Sequence, residues 1–593
     1  MMLGFWPSIR LPIELLTRHL SCVAQSRIEL PLYQNWNRLQ LTPKKFALYV
    51  ILSPGLRTAR ANRRSPLWHA PDELTRSLSL DMSWHVLSPT PRNYTLCFEV
   101  VLSLAIPNSV KDGFKTVTYG QLANAINRVA WWIGKNTKKD ENMETLGYIG
   151  PFDLRYTILT IAAQKAGFKC TKFITASVIP PHFEDTFTHR NMHRITMLSL
   201  DHCLDPTIVP HYPYAKSFRQ AQYDPFVALH TSGSTGLPKL VVTSHGTFAA
   251  SDTYQTMPSL GHASTMVEVL RDKRVFIGLP PFHAAGLFMM LGMTTYFDVI
   301  PVLGPLATLN AEMANDLHVP GDVKVTCIPP SIIEDLLRTP TYHDKLNTLD
   351  CVMYGGGPLS KKAGDQLAQA TSVVCLMGST ETMLLPTEVA DSSDWQYFGF
   401  SPCMGGEFRH LWDDLYELFI VRNPKFEASQ SVFFTFPKLQ EHNTKDLYSK
   451  HPAKVGLWRY RGRSDDLIVF STGEKLNPMM VEETVGTHPD VCSVLLVGQG
   501  RRRSSLLIEA KSALISSEDR ERLLEEIWPT IERANKLYFA HGRVSRDLVL
   551  FTSADRPMLR AGKGTIQRRG TVSLYKSELD ALYDYELEVH KSR

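Results

Sequence analysis

One block of the sequence, residues 351–376, constrains the fold more than any other. It opens with an apolar run at 351–354, passes through the glycine-rich turn 355–358 into a helical pattern ending at Leu367, and closes with an apolar run at 372–376. A strand, a glycine turn, a helix and a second strand in this order are typical of a βαβ unit, whose strands are parallel and whose helix covers the sheet. We therefore predict an α/β fold built on a mostly parallel sheet.

Two further segments are informative, one because its periodicity is clear and the other because it has none. Residues 117–119 resemble a short strand, and apolar residues then recur at helical spacing from Leu122 to Ile133, which predicts an amphipathic helix. Residues 171–200 follow neither the helical nor the alternating pattern, so we expect a surface loop there.

Composition excludes several classes of protein. The chain has 593 residues, 44% hydrophobic and 21% charged, which fits two to four globular domains and not a disordered or fibrous chain. No apolar run reaches the ~18 residues of a spanning helix, so we expect no membrane span. The nine cysteines are scattered without a Cys-x-x-Cys pair, which argues against zinc or disulfide frameworks and favours a reducing, cytoplasmic location.

The positive charge is concentrated at the amino terminus. The chain carries a net charge of +5, and residues 1–75 alone hold ten Lys or Arg against four Asp or Glu. The remainder is close to neutral, so the charge is no evidence for a nucleic-acid partner. We interpret residues 1–75 as a divergent basic extension.

The segment 231–239 is the strongest functional signal. It reads Thr-Ser-Gly-Ser-Thr-Gly-Leu-Pro-Lys and follows the strand-like run 226–230. Hydroxyls, exposed backbone N–H groups and a terminal lysine can wrap a polyphosphate. Pro238 stands where a Walker A loop requires its second glycine, which excludes a P-loop NTPase. A surface turn of the same composition is the alternative, and the preceding strand and the following Leu-Pro-Lys favour the phosphate loop.

These nine residues resemble the phosphate-binding motif of the adenylate-forming enzymes, which include acyl-CoA synthetases, luciferases and the adenylation domains of nonribosomal peptide synthetases (NRPS). Further blocks resemble the motifs of that superfamily in the same order along the chain, at 280–287, 354–359, 378–381, 444–446, 458–466 and 560–565. The segments 119–126, 148–156 and 473–478 resemble fungal NRPS-like adenylation domains of the carboxylic acid reductase type.

The resemblance implies both the domain organisation and the setting. It implies a large N-terminal domain of several mixed-sheet subdomains at 76–463, which binds ATP and the acid, and a small mobile C-terminal α+β lid at 464–593 that ends in a helical tail. It also places the activity in fungal secondary metabolism.

The resemblance also implies a role for each matching residue. ATP and AMP are bound by Thr231, Ser232, Gly233, Ser234, Thr235, Gly236, Lys239, Gly355, Gly356, Met377, Gly378, Ser379, Asp446 and Arg463. The acid contacts His283, Gly357 and Met383, and Asp465 is the hinge. Thr380, Glu381 and Lys563 are catalytic, and Glu381 also binds Mg²⁺. Met377 departs from the family, which usually has an aromatic residue stacked on adenine at that position.

The implied reaction joins a carboxylate to the α-phosphorus of ATP, releases pyrophosphate and then transfers the acyl group to a thiol. Two anions must meet, so Mg²⁺, Lys239 and Lys563 would supply positive charge where negative charge builds. Members that activate amino acids hold the substrate ammonium with an aspartate near position 283, whereas residues 282–285 here read Phe-His-Ala-Ala. We therefore expect an aryl or aliphatic acid without an α-amino group.

The thiol acceptor is open between two alternatives, phosphopantetheine on a separate carrier protein and coenzyme A. Neither a carrier signature nor a dinucleotide-binding loop follows residue 570, so we expect this chain to activate an acid without storing or reducing it, with a carrier protein or reductase acting in trans. A third hypothesis is a decayed enzyme that acts as a binding partner. It is disfavoured because Lys239, Glu381, Asp446, Arg463 and Lys563 all remain in register with the motifs.

Overall fold

The computed structural model describes residues 97–100, 114–137, 146–167, 173–179, 183–184, 187–188, 194–231, 239–260, 265–304, 309–514, 516–536, 538–539, 542–560 and 566–591. Three predicted features lie outside these ranges: the basic extension 1–75, residues 232–238 of the phosphate loop, and Lys563.

The strands are β1 (Cys97–Val100), β2 (Lys115–Thr118), β3 (Gly147–Ile149), β4 (Phe173–Thr175), β5 (Arg194–Thr196), β6 (Pro225–Thr231), β7 (Lys239–Ser244), β8 (Arg274–Ile277), β9 (Ile300–Leu303), β10 (Val325–Cys327), β11 (Cys351–Gly355), β12 (Ser372–Leu376), β13 (Gly378–Ser379), β14 (Met383–Leu384), β15 (Thr387–Glu388), β16 (Tyr397–Phe400), β17 (Gly406–Trp412), β18 (Leu415–Val421), β19 (Glu441–Lys450), β20 (Leu457–Arg463), β21 (Ile468–Val469), β22 (Lys475–Leu476), β23 (Val491–Val497), β24 (Ser505–Ala510) and β25 (Val549–Phe551).

The α-helices are α1 (Tyr119–Asn136), α2 (Arg155–Ala166), α3 (Leu200–Cys203), α4 (Phe218–Ala221), α5 (His245–Ala249), α6 (Met266–Leu270), α7 (Ala284–Leu287), α8 (Thr294–Tyr296), α9 (Ala311–His318), α10 (Pro330–Arg338), α11 (Pro340–Asn347), α12 (Lys361–Leu367), α13 (Val432–Thr435), α14 (Met479–Gly486), α15 (Ser517–Asn535), α16 (Arg568–Leu574) and α17 (Lys576–Lys591). Single-turn 3₁₀ segments occupy Ser392–Asp394, Pro402–Met404, Glu427–Ser429, Ser464–Asp466 and Arg546–Leu548, a longer one spans Ala250–Leu260, and Phe288–Met293 is a π-helix.

A seven-stranded sheet forms the centre of the N-terminal part, in the order β12-β11-β10-β8-β9-β1-β2. Its neighbouring strands are parallel except for the edge pair β1–β2. The βαβ prediction is confirmed, because β11 and β12 are adjacent parallel strands and α12 connects them.

The predicted strand at 117–119 and the helix after it are confirmed with one shift at their boundary. Tyr119 begins α1 and does not end β2. The side chain of Thr118 accepts a hydrogen bond from the backbone N–H of Gln121, and the side chain of Gln121 accepts one from the N–H of Thr118. This capping box satisfies two N–H groups of the first helical turn and so fixes where the helix begins.

A second parallel sheet, β3-β4-β5, corrects the prediction for residues 171–200. The prediction of a surface loop was wrong at two points, since β4 and β5 lie within this stretch and pair in parallel. Phe173, Phe183 and Phe187 are buried and pack together with Ile149. The segment thus contributes core residues to the N-terminal part.

An antiparallel six-stranded sheet, in the order β15-β16-β20-β19-β18-β17, follows the parallel sheets in sequence. The C-terminal part consists of the small sheets β21–β22 and β23-β24-β25 with helices α14 to α17. Its buried residues form clusters that lie within 468–583, apart from those within 117–460. The predicted α/β class with a large N-terminal and a small C-terminal α+β part is confirmed.

Of the helices that the structure describes, none combines the length and apolar character needed to cross a bilayer.

His318 at the end of α9 makes the stability of the fold depend on pH. Its side chain is 4% exposed, and Nε2 lies 3.1 Å from Oγ1 of Thr326. Burial lowers the pKa of His318 to about 4, and the charge of Lys345 acts in the same direction. Because the histidine titrates near 6.5 in the unfolded chain, the stability it contributes is complete above pH 6.5 and is lost as the pH falls toward 4.

We expect His318→Gln, which cannot titrate, to reduce the fall in unfolding free energy between pH 7.5 and pH 5 by about 2 kcal/mol. Urea unfolding at the two pH values measures this difference. An equal fall in the variant and the unmodified protein would contradict the assignment.

Candidate functional site

The carboxyl ends of β11 and β12 form the edge at which several predicted residues meet. The two strands pair in parallel up to Gly355 and Leu376. Gly356, with a φ of 83°, and Gly357 follow the first strand, and Met377 follows the second. Ligands of parallel sheets bind at this edge, and the residues predicted to contact adenine and the acid follow two of its strands.

The hairpin β13–β14 carries the predicted catalytic pair Thr380 and Glu381 in its turn. The strands pair Gly378 with Leu384 and Ser379 with Met383. A side chain at position 378 would place Cβ 2.1 Å from the carbonyl oxygen of Met383, so this close approach of two backbones requires glycine.

The turn is tied across its base by hydroxyls. The N–H of Ser379 donates to Oγ1 of Thr382 at 3.1 Å, and the N–H of Thr382 donates to Oγ of Ser379 at 3.2 Å. Glu381 is half-buried, and within the described ranges its carboxylate forms no salt bridge. The turn therefore presents an anionic side chain that a cation can approach.

The phosphate loop connects the two strands of the hairpin β6–β7. Thr231 and Lys239 are the last paired residues, so both ends of the loop are held in register by the ladder. His230 precedes the loop, and burial lowers its pKa to about 4. The imidazole is therefore neutral at physiological pH, and Lys239 is the cationic side chain at the base of the loop.

The predicted ribose residues lie opposite each other on β19 and β20, where Asp446 pairs with Arg463. Nη1 of Arg463 lies 3.2 Å from Oδ1 of Asp446, and Nη2 lies 3.6 Å from Oδ2 of Asp465. The predicted hinge residue thus shares a guanidinium with the predicted ribose acceptor. The carboxylate of Asp446 is oriented by an ion pair, and a carboxylate is the type of group that accepts hydrogen bonds from hydroxyls.

His442 lies on β19, the strand that carries Asp446, and sequence reasoning missed it. Burial lowers its pKa, the carboxylate of Glu381 opposes this and the charge of Arg463 reinforces it. Its ring stacks on that of Phe436, with centroids 6.2 Å apart. The available signal was its position four residues before Asp446 on the same strand.

His283, predicted to contact the acid, caps the short helix α7. Its Nδ1 accepts a hydrogen bond from the N–H of Ala285 at 3.3 Å. The helix lies beside β13 and β14, which brings His283 to the hairpin whose second strand begins at Met383. Phe282 contacts the ring of Phe152 at a centroid distance of 4.9 Å, which makes this wall aromatic.

In the C-terminal part, the segment that contains Lys563 is closed at its base. Arg560 and Ile566 form an antiparallel bridge on either side of residues 561–565. Arg560 donates to Glu509 at 2.6 Å and to the hydroxyl of Ser493 at 2.8 Å, which fixes this base to the sheet β23–β24.

Arg568, immediately beyond this segment, forms a buried ion pair that sequence reasoning missed. Its Nη2 lies 2.6 Å from each carboxylate oxygen of Glu482, and its Nη1 donates to the carbonyl of Leu496 at 2.9 Å. The N–H of Leu496 returns a hydrogen bond of 2.7 Å to Glu482. Nε of Arg568 lies 3.8 Å from Oδ1 of Asp466, the residue after the predicted hinge Asp465.

The chemistry of these side chains fits Mg²⁺ and ATP. Within the described ranges, no three His, Cys, Asp or Glu side chains cluster so as to hold a metal ion. A Mg²⁺ ion that binds one carboxylate together with phosphate oxygens and water needs no such cluster, and Glu381 provides that carboxylate. Asp446 provides the acceptor for a ribose hydroxyl, and Lys239 a cation at the loop.

Comparison with known proteins identifies related families and chains. Residues 185–403 match the family described as AMP-binding enzyme, and residues 465–587 match the AMP-binding enzyme C-terminal domain. The chain is 36% identical over 514 residues to a carboxylic acid reductase from Neurospora crassa. The aligned region covers 81% of this chain and 49% of that protein. It is 29% identical over 401 residues to an adenylate-forming reductase from Serpula lacrymans, with 63% and 35% covered. The chain thus spans about half, or less, of these curated relatives.

Solved structures share the fold at low sequence identity. ATP-bound MatB from Rhodopseudomonas palustris superimposes with a TM-score of 0.62 at 14% identity, over 84% of this chain and 99% of MatB. An anthranilate CoA ligase in complex with anthranoyl-AMP gives a TM-score of 0.57 at 17% identity, over 78% and 92% of the two chains.

Proposed function

Because the chain belongs to the adenylate-forming enzymes, we propose that it converts a carboxylic acid without an α-amino group to acyl-AMP and then passes the acyl group to a thiol. The observation that carries this proposal is the ion pair of Asp446 and Arg463 at 3.2 Å, together with the effect of both the Arg463 and the Glu381 charges on His442. One nucleotide could span these groups, with its ribose at Asp446 and its phosphates toward Glu381.

In the first step an oxygen of the substrate carboxylate attacks the α-phosphorus of ATP, and the bond to the pyrophosphate oxygen breaks. Glu381 would hold Mg²⁺, which neutralises phosphate charge. Lys239 and the loop 232–238 would bind the departing phosphates, and Thr380 would donate to the α-phosphate. Lys563, from the C-terminal part, would approach the carboxylate and the α-phosphate. Its positive charge would then lie where the two anions meet.

The residues at the ribose would hold the nucleotide in place while pyrophosphate leaves from the other end of the site. Asp446 would accept the ribose hydroxyls, and Arg463 orients that carboxylate at 3.2 Å. Gly355 and Gly356 would let the flat adenine contact the backbone, and Met377 would pack on it. After pyrophosphate leaves, we propose that the C-terminal part rotates about Asp465 to admit the thiol.

The acid is aryl or aliphatic in this proposal. Residues 282–285 contain no carboxylate to pair with a substrate ammonium, and Phe152 adds an aromatic ring beside Phe282. His283, Gly357 and Met383 would contact the acid. One relative is named a carboxylic acid reductase, which agrees with an acid substrate.

We expect aryl or aliphatic acids to support ATP–pyrophosphate exchange, and free amino acids to support it at least about 10²-fold less well. An unpaired buried ammonium costs about 3–5 kcal/mol, which corresponds to this ratio or more. The assay uses the full chain with Mg²⁺ and a panel of aryl, aliphatic and amino acids. Strong exchange with a free amino acid would refute the assignment of the acid, and no exchange from folded protein would favour the decayed enzyme.

We propose phosphopantetheine on a separate carrier protein as the thiol, because the curated relatives from Neurospora crassa and Serpula lacrymans are named reductases and not CoA ligases. Transfer of radiolabelled acyl groups to carrier protein and to coenzyme A, measured side by side, tests this. Preferential transfer to coenzyme A would replace the proposal by that of an acyl-CoA ligase.

The setting that we propose is cytoplasmic secondary metabolism, with a carrier protein or a reductase as partner. Cys203, Cys327, Cys351, Cys375, Cys403 and Cys492 are all free thiols, which agrees with a reducing compartment.

A further inference from the structure

We propose that Thr435 is a positioning residue that holds the turn carrying Glu381 in register with the phosphate-binding hairpin β6–β7. This inference rests on the proposed role of Glu381 and adds a residue outside every motif described above. Thr435 ends the short helix α13, which contacts β7 and α5.

Two hydroxyls at α13 bind two consecutive carbonyls of the catalytic turn. Oγ1 of Thr435 donates to the carbonyl oxygen of Glu381 at 2.9 Å. The hydroxyl of Ser431 donates to the carbonyl oxygen of Thr382. Ser431 and Thr382 are 4% and 1% exposed, so water does not readily replace this second bond. The backbone that carries the carboxylate of Glu381 is therefore held from its buried side.

The same hydroxyl of Thr435 also meets the other loop. Oγ1 of Thr247 lies 3.1 Å from Oγ1 of Thr435. Thr247 is fully buried in α5, which directly follows β7. The N–H of Ser244, the last residue of β7, donates to Oγ1 of Thr247 at 3.0 Å. A continuous chain of hydrogen bonds thus leads from the phosphate-binding hairpin to the turn of Glu381.

The single proton of each hydroxyl sets the direction of this chain. The carbonyl of Glu381, at 2.9 Å, is a nearer acceptor for the Thr435 proton than that of Ser431, at 3.4 Å, so Thr435 donates to Glu381 and its Oγ1 accepts from Thr247. Thr247 in turn accepts from the N–H of Ser244. The chain therefore runs from the N–H of Ser244 through the hydroxyls of Thr247 and Thr435 to the carbonyl of Glu381. Removal of the Thr435 hydroxyl interrupts it at the centre.

Thr435 would act by positioning the turn and not by contacting ATP, because its hydroxyl binds the backbone carbonyl of Glu381. Groups that orient a metal-binding carboxylate from behind change metal affinity or activity by about 10- to 100-fold when they are removed. Thr435 binds the carbonyl of Glu381, so loss of its hydroxyl frees the turn to move relative to Lys239 and the loop.

The test compares Thr435→Val, which keeps the shape and removes the hydroxyl, with Thr435→Ser, which keeps the hydroxyl. Thr371→Val is the matched control, since the Thr371 hydroxyl also donates to a backbone carbonyl, that of Leu349 at 2.7 Å, away from the turn. Thr247→Val interrupts the same chain one step earlier, so the test does not depend on the folding of one variant.

The first readout is amide hydrogen exchange of residues 379–384 in the ligand-free protein. We expect about tenfold faster exchange there in Thr435→Val, a smaller increase in Thr247→Val, and unchanged exchange in Thr435→Ser and Thr371→Val. The second readout is the Mg²⁺ concentration that gives half-maximal ATP–pyrophosphate exchange, which should rise about tenfold in Thr435→Val and recover in Thr435→Ser.

Unchanged exchange at 379–384 in Thr435→Val, or the same change in Thr371→Val, would overturn the proposal. Faster exchange at 379–384 with an unshifted Mg²⁺ dependence would also overturn it, because the turn would then be held without consequence for the carboxylate. The hydrogen-exchange readout needs no substrate, so it decides whether Thr435 holds the turn even if no acid supports adenylation.

Discussion

Replacement of Lys563 by alanine is expected to abolish detectable acyl-AMP formation, a loss of at least about 10²–10³-fold, and to leave thioester formation from supplied acyl-AMP nearly intact. The reason is that the lysine would neutralise charge only while carboxylate and α-phosphate meet. In the second step the acyl group leaves AMP for a thiol, and the proposed rotation about Asp465 would have carried the lysine away. Single-turnover assays of the two half-reactions measure the two losses separately.

The control for this prediction is Lys576→Ala. Lys576 is another lysine of the C-terminal part, with a side chain 72% exposed and an ion pair to Asp580 one helical turn away. Its removal should leave both half-reactions unchanged. An equal loss of both half-reactions in Lys563→Ala would contradict the assignment of this lysine to the first step alone.

Replacement of Arg568 by methionine is expected to destabilise the C-terminal part by about 3–5 kcal/mol. Arg568 and Glu482 are only 19% and 18% exposed, so removal of the cation leaves a mostly buried carboxylate with its charge unpaired and only the N–H of Leu496 donating to it among the described contacts. Burial already raises the pKa of Glu482, and Arg568 and the N–H of Leu496 oppose this. Denaturant unfolding of the full chain, followed by hydrogen exchange in residues 479–486, measures the loss.

Two further variants separate the ion pair from packing. The double variant Arg568→Met with Glu482→Leu should recover most of the stability, because replacing both partners of a buried pair by apolar residues is close to neutral. Arg522→Met removes a comparable contact to Asp519 with a side chain 71% exposed, and should cost less than about 1 kcal/mol. A double variant as unstable as Arg568→Met would show that the arginine acts through shape and not charge.

The parts of the fold that could be predicted from sequence are those whose pattern is local. The block 351–376 carries a strand, a turn, a helix and a strand that are each long enough to show their own periodicity, and the structure follows it. Residues 171–200 failed for the opposite reason. β4 and β5 have three residues each, which is too short for alternation to be recognised. The burial of β4 comes from neighbours such as Phe187, and β5 is largely exposed.

The candidate site shows the same division. Residues in compact motifs, such as those at 378–381, could be singled out because several informative residues stand together in sequence. Thr435 could not, because its partners are 54 and 188 positions away in the chain. Arg568 and Glu482 are likewise 86 positions apart. A lone threonine or arginine has no sequence context that names its partner, and only the folded chain supplies it.

The bridge between Arg560 and Ile566 limits how far Lys563 can lie from the sheet. Lys563 is three residues from each end of that bridge, at the midpoint of the tethered segment. At 3.8 Å per residue, its Cα can lie no farther than about 11 Å from either end, whatever conformation the segment adopts. A larger excursion of this lysine therefore requires displacement of the sheet β23–β24 to which the bridge is anchored, so the reach of one side chain is set by the travel of a whole domain.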